Sequence, residues 1–163
     1  MYMGKIVIID DILAPSDTLK VKFEGKNPFV AVAMAPSLLK DVMKLTGKDT
    51  LETDVRWDVT GKDAGFFGKW MGRRPDDNWT TTKIRLLIQG EQNSQDKTGW
   101  VEVRIKGIVE TTYEYSNFIQ RSFWWFFNRT FYHKQRQAYI EYAKDNMYTM
   151  RDRLKRAFGL EEP

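Results

Sequence analysis

Residues 100–115 read WVEVRIKGIVETTYEY. Val101, Val103, Ile105, Val109, Thr111, Tyr113 and Tyr115 fall on one parity, and Glu102, Arg104, Lys106, Glu110 and Glu114 on the other. Successive side chains of a strand point to opposite faces, so this stretch is a long strand with one dry face and one wet face. Strands of that kind belong to antiparallel sheets covered on one side, because parallel sheets are buried on both. Gly107, in the middle of the dry parity, predicts a bulge or bend.

The same alternation recurs upstream. In residues 80–89, Ile84 and Leu86 face inward and Lys83, Arg85 and Gln89 outward, with Leu87 as an apolar exception on the wet side. In residues 51–60, LETDVRWDVT, the dry set is Leu51, Thr53, Val55, Trp57 and Val59. Residues 18–25, TLKVKFEG, alternate as well, and Lys5–Ile9 is a shorter apolar β-type run. Residues 61–75 are glycine-rich and read as an irregular loop with at most a short strand near 67–71. Between the second and third strands, NPFVAVAMAPSLLKDVMKLTG (27–47) reads as two short helices broken near Pro36, since proline removes a helical donor and clashes with the preceding turn.

After Asn117 the period changes from two to that of a helix. Asn117 followed three residues later by Gln120 resembles a capping box. Phe118, Trp125, Tyr132 and Tyr139 are spaced by seven, and Ala143, Met147, Met150, Leu154 and Phe158 continue the stripe. About 40 residues at ~1.5 Å each make roughly 60 Å, so the helix either breaks near residues 128–130 or overhangs the domain. Within it lies SFWWFF (122–127). Ile119, Phe123, Trp124, Phe126, Phe127 and Phe131 fall outside the main stripe, so the first half is apolar nearly all round. A helix of that kind needs burial on every side. The cover can come from the protein's own sheet, a lipid-like ligand, a second copy of the chain, or a membrane surface or other partner.

The 163 residues suggest a single domain, and the absence of cysteine excludes disulfides and thiolate chemistry. No apolar run approaches ~20 residues and no leader-like segment is seen, which predicts a cytoplasmic protein without a transmembrane segment. Charge is uneven. Residues 117–160 hold 9 basic and 3 acidic side chains, whereas residues 1–116 balance to zero. Arg121, Arg129, Lys134, Arg136, Arg151, Arg153, Lys155 and Arg156, interleaved with aromatics, fit a surface for nucleic acid or an acidic partner.

Motifs of catalysis are weak. GKDAGFFGK (61–69) lacks the spacing and the Ser/Thr of a phosphate loop. IVIIDD (6–11) looks like the start of a response-regulator receiver, but antiparallel strands follow where a parallel fold needs alternation with helices. His133 is the sole histidine and reads as a surface residue, with no metal-ligand spacing around it. The pairs Asp10-Asp11 and Asp76-Asp77 sit in turn-like contexts. No cofactor, metal or particular reaction is indicated, and a non-enzymatic role is favoured.

The order of strand, short helices, antiparallel strands and long C-terminal helix, carried by residues 18–25, 27–47, 51–60, 80–89, 100–115 and the helix after Asn117, resembles the helix-grip fold of the START-like or SRPBCC superfamily. The likeness covers 18–158 and leaves 1–17 as an N-terminal strand extension. It implies an α+β fold whose curved antiparallel sheet packs on two short helices and the long C-terminal helix. It also implies an apolar cavity lined by Val55, Trp57, Ile84, Leu86, Val103, Ile105, Phe123 and Phe127, with Trp124 and Phe131 from the same aromatic stretch. Equally, those side chains could fill the space themselves. The expectation is a protein that binds a hydrophobic or lipid-like small molecule between sheet and helix. The alternatives are a nucleic-acid or acidic-complex module acting through the basic helix, and a homo-oligomer, such as a homodimer, joined through residues 118–132.

Overall fold

The structure is a computed structural model and describes residues 4–14, 18–46, 49–59 and 61–160. Strands β1 (Gly4–Asp11) and β2 (Leu19–Lys26) lead to helix α1 (Val30–Met43). Strands β3 (Thr50–Asp58), β4 (Asp63–Pro75), β5 (Thr80–Asn93) and β6 (Thr98–Tyr115) follow. The chain then runs through α2 (Phe118–Phe127), a π-helical segment (Asn128–Tyr132) and α3 (His133–Ala157).

The fold is α+β, a curved antiparallel sheet in the order β1-β6-β5-β4-β3. Strand β6 organises it. One edge of β6 pairs with β5, while the other pairs with β2 along residues 98–105 and with β1 along residues 108–115. The N-terminal extension is thus an integral strand that continues the line of β2. Gly107 lies at the handover between the two and stays in unbroken register with Ile84. The expected bulge is instead in β3, between Glu52 and Asp54. It brings Val55 opposite Gly68 and Trp57 opposite Phe66. The side chains of Leu51 and Thr53, read as sharing that face, lie outside the described residues.

Two expectations are corrected. Residues 63–75 form a full strand, paired residue for residue with β5. Its inward positions are Phe66, Gly68, Trp70 and Gly72, so glycines hide half of the alternation. A Cβ on Gly68 would run into the Trp70 ring, and one on Gly72 would meet Met43 Sδ at 2.7 Å. The strand needs glycine where a ring and a helix press against its backbone. The Pro36 segment is one helix, not two. Pro36 is exposed, so its ring lies on the solvent side of the helix, while Ala31, Ala35, Leu38, Leu39, Val42 and Met43 are buried.

The main core lies between the inner sheet face, α1 and α3. Ile84, Leu86, Ile88, Val103 and Ile105 pack there with Leu39, Met43, Met147, Met150 and Leu154, all at 0–1% exposure. Phe23 stacks on Phe158 at 4.5 Å. Gly159, at φ +71°, ends the helix in a left-handed turn. Among the described residues no helix is long and apolar enough to cross a membrane.

Candidate functional site

The C-terminal helix does not break near residue 128; it changes pitch. Residues 118 to 157 are helical throughout, with a π turn at Asn128–Tyr132. A π turn takes in one residue more than an α turn, which rotates everything before it by about 100°. The face that α3 turns to the sheet therefore continues backwards through Tyr132, Asn128, Phe127 and Trp124. It does not run through Trp125 and Phe118, as steps of seven predicted. Phe118 is 76% exposed and Trp125 50%.

The π turn has an evident cause. It sets two polar side chains, Asn128 and Tyr132, into the protein, and both are buried. Asn128 Oδ1 accepts from Arg136 at 2.9 Å and from the Tyr113 hydroxyl at 3.3 Å. Arg136, itself buried, donates two bonds to Asp10 through Nη2, at 2.8 and 3.0 Å. The Tyr132 hydroxyl bonds Asp77 and lies 2.7 Å from Thr80 Oγ1, which is 2.9 Å from Thr111 Oγ1. Asp77 also accepts from Tyr139 and from the backbone N–H groups of Trp79 and Thr80. Burial pushes the Asp77 carboxyl up, but the Tyr132 bond and the other donors outweigh it and hold the group below its ordinary value. Burial pushes the Tyr113 hydroxyl up to about 12 and raises Tyr132 and Tyr139 too. These carboxylates are saturated by donors and anchor the helix, which is not the setting of a general base. Among the described residues no group of three or more His, Asp or Glu converges as a metal site would require.

Around this anchor the rings of SFWWFF divide. Trp124 stacks on Tyr113 at 4.7 Å and donates its indole N–H to the Glu114 carbonyl at 2.9 Å. Phe127 packs on Trp79 and Tyr132. Those two rings join Ile6, Tyr113 and Tyr132 in a second apolar cluster at the end of the sheet. Phe123, Trp125 and Phe126 remain at least half exposed, as do Phe118, Ile119 and Phe131. No residue of α2 is fully buried. Rings of Phe123, Phe127 and Phe131 touch in series, and Phe126 meets Phe131 at 6.3 Å, so the exposed aromatics form one surface continuous with the inner cluster. An open hollow of about 570 Å³ among Trp125, Phe126, Asn128, Arg129 and His133 indents it.

The ten side chains expected to share a ligand cavity are not brought together. Ile84, Leu86, Val103 and Ile105 belong to the main core, with Val55 packed at its margin. Trp57 is half exposed at the far end, against Phe29 and Phe66. Trp124 and Phe127 belong to the second cluster, while Phe123 and Phe131 point outward. Nor do the eight expected cations form one patch. Arg121, Arg129 and Lys134 are exposed around the aromatic surface, and Arg136 is buried against Asp10. Arg151, Arg153, Lys155 and Arg156 sit at least 15 residues beyond Arg136, roughly 22 Å along the helix. Arg151 there pairs with Asp152 and lies over the Tyr148 ring. Sequence reasoning passed over Trp79 and Tyr113, the rings that hold Trp124, and gave Asp77 only a turn role. Their signal was modest: Trp79 follows a turn pair of aspartates, and Tyr113 was one dry residue among seven.

No protein-family model matches the chain, and no curated protein matches it. Among solved structures, a protein of unknown function from Staphylococcus aureus, SA2116, aligns with 86% of this chain and 97% of its own at 10% identity and a TM-score of 0.22. A likeness at that level carries no weight for fold or function.

Proposed function

We propose that this chain is a peripheral lipid-surface binding protein, docking on anionic headgroups through the outward face of α2. One observation carries the reading: a helix whose outer face is aromatic, set in a stretch with cations and no acids. Residues 115–140 contain Arg121, Arg129, Lys134 and Arg136 and not one Asp or Glu. At roughly 200 Å² per side chain, the exposed parts of Phe118, Ile119, Phe123, Trp125, Phe126 and Phe131 present on the order of 700–800 Å². That exceeds the ~300–600 Å² of a typical monomer's largest apolar patch. It also equals one side of a standard protein interface, ~800 Å², so area alone does not choose between a lipid and a second copy.

Charge favours the lipid. A twofold contact through this face would gather Arg121 and Arg129 of both copies in one interface, with no acid from the same stretch to neutralise them. A bilayer offers phosphates to the arginines and hydrocarbon to the rings, and each cation near an anionic surface contributes about 1 kcal/mol. Trp124, Phe127 and Tyr132 clamp the helix from behind, so it presents its apolar face without having to fold on the membrane.

Co-sedimentation with vesicles tests this. Binding to phosphatidylglycerol vesicles, weak binding to phosphatidylcholine vesicles, and loss of both on Phe118→Ser/Phe126→Ser are expected. Absence of binding to either vesicle sinks the reading. Native mass spectrometry of the same sample would then show whether the face meets a second copy or a retained small molecule, and salt-dependent retention on nucleic acid would move attention to the basic helix.

A further inference from the structure

The sheet has open edges, and they are not built alike. Strand β6 takes β1 and β2 along one side and β3 closes the other end, so β1, β2 and β3 each have one edge that no strand of the described residues pairs. An open edge invites pairing with another chain, and proteins blunt it with lysines, other charges or a bulge. β2 sets Lys20, Lys22, Glu24 and Lys26 along the outer face. β3 carries its bulge between Glu52 and Asp54, with Asp54, Arg56 and Asp58 outward from there on. β1 has an unbroken register and an apolar middle. Its outward residues are Lys5, Val7, Ile9 and Asp11, and Val7 is 50% and Ile9 61% exposed.

The sheet gives those two side chains no apolar neighbour across the ladder. Val7 stands opposite Thr112 and Ile9 opposite Glu110, which Lys83 engages at 3.1 Å. The outward order along β1 is cation, two branched aliphatics, anion, and reversed it is its own complement. Directly opposed residues of an antiparallel pair project to the same face, so the outward set of β1 meets an outward set. Laid against a second β1 with Ile8 at the centre, Lys5 stands opposite the partner's Asp11 and Val7 opposite the partner's Ile9, and each pair occurs twice. A slip of two residues sets Lys5 against the partner's Ile9 in one direction and Asp11 against the partner's Val7 in the other. The charges therefore select one register. Lys5 makes no ion pair among the described residues, and Asp11 accepts the Leu13 N–H through Oδ1 alone. On the inner side Ile8 meets its own copy and Ile6 the partner's Asp10, whose carboxylate is held by Arg136.

We infer that β1 is the seam of a homodimer, pairing antiparallel with β1 of a second copy so that the two sheets run on as one. The second copy supplies hydrogen bonds to the open backbone edge, apolar cover for Val7 and Ile9, and an opposite charge at each end. A twofold axis normal to the sheet relates the copies, so both C-terminal helices lie on one side of the joined sheet. The seam makes no use of the outward face of α2. Unlike a contact through that face, it sets each charge against its opposite.

Sedimentation velocity of the whole chain over a range of concentrations tests this. The parent is expected to form a dimer with Kd on the order of micromolar, since a strand of 8 residues makes a small interface. Ile9→Lys is expected to weaken association about tenfold or more and to leave Tm little changed, because the side chain it replaces is exposed. Lys5→Glu and Asp11→Lys each set like charges at both ends of the seam, and each alone should associate about tenfold more weakly or worse. Mixed in equal amounts they restore opposite charges at both ends, and a dimer with one copy of each should reappear. A structural role within a single chain gives no such rescue. A parent that stays monomeric at ~100 µM overturns the inference, as does a dimer that survives Ile9→Lys. So do charge variants that dimerise alone or fail to dimerise together. Phe118→Ser/Phe126→Ser is expected to keep the dimer while losing the vesicles, so the two readings fail separately. A dimer that those substitutions split and Ile9→Lys does not would overturn the seam in favour of the aromatic face.

Discussion

The long C-terminal helix contains two halves that are opposites in physical terms. α3 is built as an ordinary amphipathic helix: Ala143, Met147, Met150 and Leu154 are at 0% exposure, and the rest of its circumference is largely polar. α2 is inverted. No residue in it is fully buried, and its solvent side carries Phe118, Trp125 and Phe126. Side by side they show how burial on the sheet and apolar content in the sequence come apart. α3 is rich in charged side chains and still supplies the core, while the more apolar half supplies the surface. Apolar residues that a fold leaves outside are placed for something other than that fold.

The comparison breaks most sharply by truncation. Met147→Ala is expected to cost about 2–5 kcal/mol in urea unfolding, since Met147 lies in the core where a Cβ on Gly107 would meet its Sδ at 3.0 Å and little space exists to relax into. A loss below ~1 kcal/mol would mean that α3 is not the structural half. Next comes the joint between the halves. Arg136→Met strands Asp10 and removes the shorter of the two hydrogen bonds to Asn128 Oδ1. Breaking a buried pair costs about 3–5 kcal/mol, discounted here to about 2–3 because the Asp10 side chain is 24% exposed. The double variant Asp10→Leu/Arg136→Met should recover part of the loss, and recovery of nothing would place the cost in packing alone.

How much of this could be read in the chain follows from where the period was clean. β5 and β6 were legible because most inward positions are branched or aromatic residues and most outward ones polar, with Gly90 and Gly107 inward and Leu87, Trp100 and Ile108 outward as the exceptions. β4 was not, because Gly68 and Gly72 occupy inward positions that carry no hydrophobic signal. α1 was read as two helices because proline speaks strongly in sequence, but Pro36 faces water while both halves of the helix bury one stripe. The candidate surface was half visible: the surplus of rings in SFWWFF was plain, but which rings face out depends on one π turn. Nothing in NRTFY announces that turn. It is set by partners far away in sequence, Asp10, Asp77 and Tyr113, so no local pattern could have placed it.

That dependence gives a third test. Deleting Thr130 removes the residue that the π turn absorbs and favours an uninterrupted α-helix. With Tyr132 and Arg136 anchored, Trp124 then stands seven residues before Tyr132, so α2 keeps its present face and Trp125 and Phe118 stay outward. Stability is expected to change by no more than about 1 kcal/mol, with tryptophan emission and vesicle docking retained. Shifted emission and lost docking would show that the face of α2 is not set by the π turn.

The polar anchor also gives α2's base a pH signature that α3's apolar stripe lacks. Asp77 is held below its ordinary value of 3.8, so its contribution is complete above about pH 4 and is lost as pH falls through the folded value. At the other limb Tyr113 is raised from 10.0 to about 12. Its contribution is full below pH 10 and fades as pH rises from there towards 12. Asp77→Asn should flatten the acid limb and Tyr113→Phe the alkaline limb of a stability–pH curve. Parallel curves for parent and variants would remove both groups from the linkage.

The smallest expected change in stability is the most informative about purpose. Phe126, 62% exposed, touches the rest of the protein chiefly through Phe131. Phe126→Ser is therefore expected to shift unfolding by no more than ~0.5 kcal/mol in either direction, as ordinary surface substitutions do. The unfolded chain exposes the same ring, so the fold neither gains nor loses much when it is removed. If Phe126 were core, the loss would match that of Met147→Ala and the division between the halves would collapse. If its only effect is on affinity for anionic vesicles, the ring stabilises a state other than the folded chain in water. The residue then belongs to the interface and not to the core, and the same holds for the five apolar neighbours that share its face.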